Sequence, residues 1–186
     1  MSVQATDPLD PPETVVAFWR AAGPALWFAK DDAFDRRFRD SFLRLHEAAS
    51  RRELDDWLAT ATGSLALLIL LDQFPRNSFR GTPRMYATDV LARRMADLAI
   101  RAGHDQMVDE DLRIFFYLPF AHSEALADQE RAVRLASQLP DPHPSRARHH
   151  CEIVRRFGRF PHRNSILGRL MRPEEQQYLD AGGYAG

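Results

Sequence analysis

Cysteine and lysine are both scarce in this sequence of 186 residues. Cys151 is the single cysteine, so an intramolecular disulfide is impossible, which is compatible with a reducing compartment. Lys30 is the single lysine, so arginine supplies 24 of the 25 basic residues. Two interpretations are compatible with each other: a GC-rich coding bias sets the number of arginines, and the fold uses some of them as planar donors to anions.

Long apolar runs and an excess of one charge are also missing. The longest apolar run is Leu65–Leu71, far shorter than the roughly 20 residues of a membrane-spanning helix. No basic and apolar segment typical of a signal peptide opens the chain. The formal net charge is −1, without the basic excess of general nucleic-acid or membrane-surface binders. We therefore expect a cytoplasmic protein with neither nucleic acid nor membrane as partner, and the sequence indicates no oligomeric state.

Strand-like alternation of apolar and polar residues is absent, whereas helical spacing recurs. Phe34, Phe38 and Phe42 follow one another at intervals of four, which predicts an apolar helix face. Leu65–Leu71 surrounds its helix with apolar side chains, so that helix is predicted to be central. We predict an all-α fold of eight or nine helices, with a disordered tail at residues 1–10 and a single helical domain at residues 11–186.

Proline, glycine and capping residues predict where the helices begin and end. Helix starts are predicted near Pro12, Asp31, Gly63, Thr82, Asp109, Ser145 and Pro173. Helix ends are predicted at Gly23, Pro75, Gly103, Pro119 and Gly158.

A weak internal repeat accompanies three of the prolines. Phe74–Pro75, Leu118–Pro119 and Phe160–Pro161 each follow an apolar helix, and the prolines are separated by 44 and 42 residues. This period is typical of the helix-pair unit of an α-solenoid. Each proline marks a corner between helices: the first corner lies around Pro75, the second around Pro119 and the third around Pro161. If the repeat holds, these three corners lie along one edge of the stack and their polar residues meet.

These corners carry the candidate site. Arginine offers a planar donor fork to carboxylate or phosphate, and asparagine both donates and accepts hydrogen bonds. We predict that a small anionic or polar molecule is bound by Asp72, Arg76, Asn77, Ser123, Arg159, Arg163 and Asn164. The alternative is a purely structural role, in which these side chains tie helix ends together, because helix termini leave backbone groups unpaired.

Whether the site is catalytic stays open at this point. Histidine titrates near neutral pH, so His122 and His162 are candidate acids or bases, with Glu124 or Asp72 as the carboxylate. His149, His150 and Cys151 are adjacent on a helix and point to different faces, and no metal-ligand spacing occurs, so no metal is predicted. Neither a P-loop nor a Gly-x-Gly-x-x-Gly motif is present, and we expect no cofactor.

The segments Leu71–Asn77, Leu118–Glu124 and Phe157–Asn164 resemble the uncharacterised bacterial domain-of-unknown-function family 924. Phe18–Trp19, Trp27–Phe28 and Leu167–Arg169 are also similar to its pattern. The resemblance extends from about residue 15 to residue 179. It implies an all-helical fold of antiparallel helix pairs in a short, right-handed, tetratricopeptide-like superhelix, and it brings no established activity. Such a fold offers an alternative function, a protein- or peptide-binding scaffold whose arginine and asparagine corners are structural.

Overall fold

A computed structural model describes residues 9–186 of the chain. Most of these residues are helical. The α-helices are α1 Pro12–Trp27, α2 Asp32–Ser50, α3 Ala61–Leu68, α4 Phe74–Ser78, α5 Asp89–Arg101, α6 Ile114–Ala121, α7 Leu126–Ala136, α8 His143–Phe157 and α9 Pro173–Asp180. Short 3-10 turns occupy Asp55–Ala59, Pro83–Tyr86, His104–Met107, Glu110–Leu112 and Pro161–Arg163. The all-α prediction is confirmed. Of the predicted disordered tail, residues 1–8 lie outside the described residues.

The central helix is α3, as the apolar run predicted. Residues 63–68 are all buried, and α3 packs against α1, α5 and α6. Aromatic rings fill the space beside it: Trp19 contacts Phe38 at 5.3 Å and Phe115 at 5.3 Å between ring centroids. Among the described residues, no helix is both long and apolar enough to cross a bilayer.

A second, smaller apolar cluster lies at the carboxyl end of the chain. It contains Ile153, Val154, Phe157 and Phe160, with Tyr178 and Tyr184 packed against it. Helices α6, α7 and α8 contact one another in chain order. That order is compatible with a superhelix of helix pairs, which stays a prediction.

Several predicted helix boundaries are confirmed by the backbone. The Asp31 carboxylate accepts a hydrogen bond from the Phe34 N–H at 2.8 Å and so caps α2. Gly158 ends α8 in the left-handed conformation, with φ of 73°. Gly23 interrupts α1 with φ of 69°, but Pro24 begins one more helical turn, so α1 extends to Trp27. Ser145 does not cap α8, which already begins at His143.

The predictions that Pro75 and Pro119 end helices are wrong. Pro119 lies inside α6, two residues before its end. Pro75 lies in the first turn of α4, which continues directly from α3 through a wide π-helical segment, Ile69–Gln73. Similarly, Thr82–Pro83 begins only a 3-10 turn, and α5 starts at Asp89. Asp109 likewise precedes a 3-10 turn before α6 and makes no side-chain cap.

The π segment allows the central helix to pass Pro75. Proline has no N–H, and its ring clashes with the carbonyl four residues earlier. Widening the turn relieves the clash. Side chains then donate to two carbonyls that Pro75, which has no N–H, leaves without a backbone donor. His46 Nδ1 lies 2.9 Å from the Leu70 oxygen, and the Thr88 hydroxyl donates to the Leu71 oxygen at 2.6 Å.

Replacing Thr88 by valine tests this account. The side chain keeps its shape but loses the buried donor to Leu71, so we expect a loss of about 1–2 kcal/mol in the free energy of unfolding. Urea denaturation measures it. Thr14→Val, at an exposed position of α1, is the control and should change stability by less than about 0.5 kcal/mol. Equal effects of the two substitutions would contradict the role of Thr88.

Candidate functional site

A cavity of about 660 Å³ opens between the end of α1, helix α4 and helices α6, α7 and α8. Its apolar wall includes Trp27, Phe28, Ile114 and Leu118, together with alanines of α6, α7 and α8. Phe28 is 44% exposed, and its ring stacks on Phe115 at 6.0 Å. The cavity therefore presents apolar surface that can contact a ligand.

The polar wall of this cavity carries four cationic side chains. Lys30, Arg76, Arg80 and Arg146 line it, whereas no aspartate or glutamate does. Arg80 is paired with Asp35, at 2.6 Å. Lys30 and Arg146 have no carboxylate partner within residues 9–186, and the Arg146 guanidinium lies 5.3 Å from the centre of the Phe28 ring. Such a wall attracts anions.

Asp72 and His122 form a buried pair at the base of the polar wall. The Asp72 side chain is fully buried, and its Oδ1 lies 2.9 Å from His122 Nδ1 and 3.1 Å from Arg76 Nη1. Gln73 donates to the other carboxylate oxygen at 2.6 Å. Burial raises the pKa of Asp72, but the charge of Arg76 and the hydrogen bonds from His122 and Gln73 outweigh it and hold that pKa below its usual range. Asp72 is therefore ionised at neutral pH.

Arg76 and Arg163 extend this pair into a charge network. Arg76 binds Asp89 through both terminal nitrogens, at 2.9 and 3.0 Å, and also donates to the Asp72 carbonyl. Arg163 donates to the His122 carbonyl at 2.9 Å, and its guanidinium lies 4.6 Å from the ring centres of Tyr86 and Phe160. Burial and the charge of Arg76 lower the pKa of Arg163. This network joins the first corner to the second and third.

Other predicted site residues bind within the protein and do not line the cavity. Ser123 donates to Asp128 at 2.7 Å. Glu124 accepts two bonds from Arg169, at 2.7 and 3.0 Å, and a third from the Phe160 N–H at 2.8 Å. These contacts tie the α6–α7 turn to the segment after α8.

Arg159 and Asn164 bind the last helix. Arg159 makes a two-pronged ion pair with Glu175, at 2.6 and 2.8 Å, and Asn164 donates to the same carboxylate at 3.0 Å. The N–H of Arg172 also reaches Glu175, at 2.8 Å, which caps the start of α9. Glu175 is fully buried, so these two predicted ligand-binding residues hold α9 in place.

His162 lies beside the cavity rather than in its wall. Its ring packs against Phe160 and Tyr184, and its Nδ1 has no partner within residues 9–186. Burial, with the charge of Arg163, lowers the pKa of His162 to about 4, so the ring is neutral at pH 7.

Three of the predicted site residues line the cavity: Arg76, Asn77 and His122. Asn77 also donates to Asp35 at 2.7 Å. Asp72 and Arg163 contact His122 from behind the wall. No group of three His, Cys, Asp or Glu side chains in residues 9–186 is placed to hold a metal ion.

The opposite wall of the cavity is not predicted by the three corners. That wall comes from the end of α1, from α8 and from the carboxyl-terminal segment, none of which contains a post-proline corner. Its lining residues include Trp27, Phe28, Lys30, Arg146, His149, His150 and Tyr184. The paired aromatics Trp27–Phe28 and the paired histidines of α8 were the available signals.

The family model described as bacterial protein of unknown function (DUF924) matches residues 15–183. The chain belongs to this family. A solved structure of a protein of unknown function from Agrobacterium tumefaciens is similar to this DUF924 chain throughout, with 60% sequence identity and a TM-score of 0.91. The match covers 92% of this chain and 97% of that one. No curated protein matches the chain.

A pH titration tests the structural assignment of Arg159 and Asn164. The hydrogen bonds from Arg159 lower the pKa of Glu175 from 4.5 to about 2, against the effect of burial. A carboxyl with a depressed pKa stabilises the fold above its unfolded pKa, and this contribution is lost as the pH falls from about 5 towards 2.

Glu175→Gln removes that contribution. We expect the variant to be less stable than the wild type at pH 7 and to lose less stability on acidification, measured as Tm by circular dichroism from pH 7 to pH 3. Glu174→Gln, at the exposed neighbouring position, is the control and should follow the wild type. Parallel pH profiles of Glu175→Gln and the wild type would rule out this role.

Proposed function

We propose that the cavity binds a small anion that has an apolar body. One observation carries the proposal: Lys30 and Arg146 line a cavity that has no aspartate or glutamate among its lining residues, and neither has a carboxylate partner within residues 9–186. Cations in a concave surface with apolar walls raise the local concentration of anions. An anion would be held by these cations, next to the apolar surface of Trp27 and Phe28 on the same wall.

The apolar wall argues for more than an inorganic ion. Ligand cavities are mostly apolar with a few convergent polar groups, and their apolar contacts supply much of the affinity. Phe28 and Leu118 contribute such surface here, and the Arg146 guanidinium lies over the Phe28 ring. A carboxylate or phosphate joined to an aromatic ring or short alkyl chain matches this combination of surfaces.

The peptide-binding scaffold remains the second candidate. It is favoured by the internal pairing of several corner residues, since Asn77, Arg159 and Asn164 all bind acidic side chains of the same chain. That observation assigns structural roles to these corners, but it leaves the cationic cavity without an explanation. The anion proposal accounts for the cationic cavity and is compatible with structural roles for these corners.

Isothermal titration calorimetry with benzoate and octanoate tests the proposal. We expect binding to the wild type that weakens with salt, and no binding of the neutral analogue benzamide. Arg146→Ala should weaken benzoate binding roughly tenfold, because a charge-assisted contact contributes about 1.5–3 kcal/mol.

Arg134→Ala is the matched control, since it removes the same charge from an exposed position of α7 outside the cavity. Equal affinities of the two variants, or equal binding of benzamide and benzoate, would count against an anion site in the cavity.

A further inference from the structure

We infer that His122, oriented by Asp72, is the general base of the cavity and that the bound anion is an ester that the protein hydrolyses. This inference rests on the proposed anion site and adds a reaction to it. Three features support it: the tautomer of His122, the position of its free nitrogen and the groups that surround the ring.

The contact with Asp72 sets the tautomer of His122. Asp72 is ionised, so its Oδ1 can only accept a hydrogen bond, and the nitrogen 2.9 Å away must donate one. The proton of a neutral His122 ring is therefore on Nδ1, and the lone pair is on Nε2. An aspartate that holds a histidine in this way orients the ring and stabilises the imidazolium formed during proton transfer.

The free nitrogen of His122 belongs to a side chain that lines the cavity. Nδ1 points to Asp72, and Nε2 has no hydrogen-bond partner within residues 9–186. Nδ1 of His150 and Nδ1 of His162 are both shielded from solvent and without a partner, but Nε2 of His122 is not shielded in this way. A molecule or a water in the cavity can therefore reach Nε2.

The surroundings keep the ring neutral at physiological pH. Burial lowers the pKa of His122 and the charge of Arg76 lowers it further, while Asp72 opposes both. A neutral imidazole is the form that accepts a proton, so this base is ready at pH 7. The charged or titratable groups that face the ring or its backbone from the neighbouring elements are Asp72, Arg76, Asp89, His150, His162 and Arg163.

The reaction that we assign to this base consumes one water. Nε2 of His122 takes a proton from the water while its oxygen forms a bond to the ester carbonyl carbon. The ester C–O bond then breaks, and the departing alkoxide oxygen takes the proton back from His122. The products are a carboxylic acid and an alcohol, and His122 returns to its neutral state.

The experiment uses 4-acetoxybenzoate, an aromatic carboxylate that also carries an ester. Release of 4-hydroxybenzoate is followed by liquid chromatography for the wild type, for His122→Asn and for Arg134→Ala. Asparagine can keep the donor to Asp72 but lacks the second nitrogen. We expect hydrolysis by His122→Asn to fall about 100-fold, within the range for loss of a general base, and Arg134→Ala to retain the wild-type rate.

A chemical probe reports on His122 itself. Diethyl pyrocarbonate acylates neutral, accessible imidazole nitrogens, and mass spectrometry of peptides gives the rate at each histidine. We expect rapid acylation of His122 with a pH midpoint below 6.5, protection by benzoate, and a changed midpoint in Asp72→Asn. Should Asp72→Asn not fold, the wild-type pH profile and the protection by benzoate still decide the matter.

The outcomes separate this inference from the anion proposal. Benzoate binding without hydrolysis of 4-acetoxybenzoate above the buffer rate, or equal hydrolysis by His122→Asn and the wild type, overturns the inference and leaves the anion site standing. An unreactive His122 overturns it as well. Absence of benzoate binding, with hydrolysis that depends on His122, overturns the anion proposal alone.

Discussion

The central helix must pass a proline that cannot donate a backbone hydrogen bond, and the arrangement around the cavity depends on how it does so. Widening the helix at Ile69–Gln73 leaves carbonyls to be bonded by His46 and Thr88, which draws α2 and α5 against the helix. The same segment contains Asp72, fully buried at the end of an otherwise apolar helix. A polar site in the core is thus a consequence of the local backbone as well as of side-chain chemistry.

Burying Asp72 requires compensation, because an isolated carboxylate in the interior is costly. Arg76 supplies the opposite charge, and Asp89 in turn pairs with Arg76. Nη1 of Arg163 lies 3.7 Å from Oδ2 of Asp89. Charges of alternating sign therefore connect the π segment, α5 and the turn after Phe160. Removing one member leaves its partner buried without compensation, so stability and site geometry are coupled here.

Sequence patterns predicted the helices but not the connections between consecutive helices. The intervals between Phe34, Phe38 and Phe42 identify the buried face of α2. Pro75 predicts the end of a helix, because no sequence pattern reveals the π segment that precedes it. The three corners do adjoin, through Arg163 and the His122 carbonyl. The partners of their side chains depend on tertiary contacts between distant elements, such as Arg159 with Glu175, and could not be predicted from spacing.

Two of the four cations that line the cavity have internal ion-pair partners, and two do not. Internal ion pairs account for Arg76 and Arg80, and the network would stabilise the fold without any ligand. Lys30 and Arg146 line the same cavity, and neither has a carboxylate partner within residues 9–186. The proposed anion would supply a counter-charge for both, and His122, whose ring is oriented by Asp72, lines the same cavity.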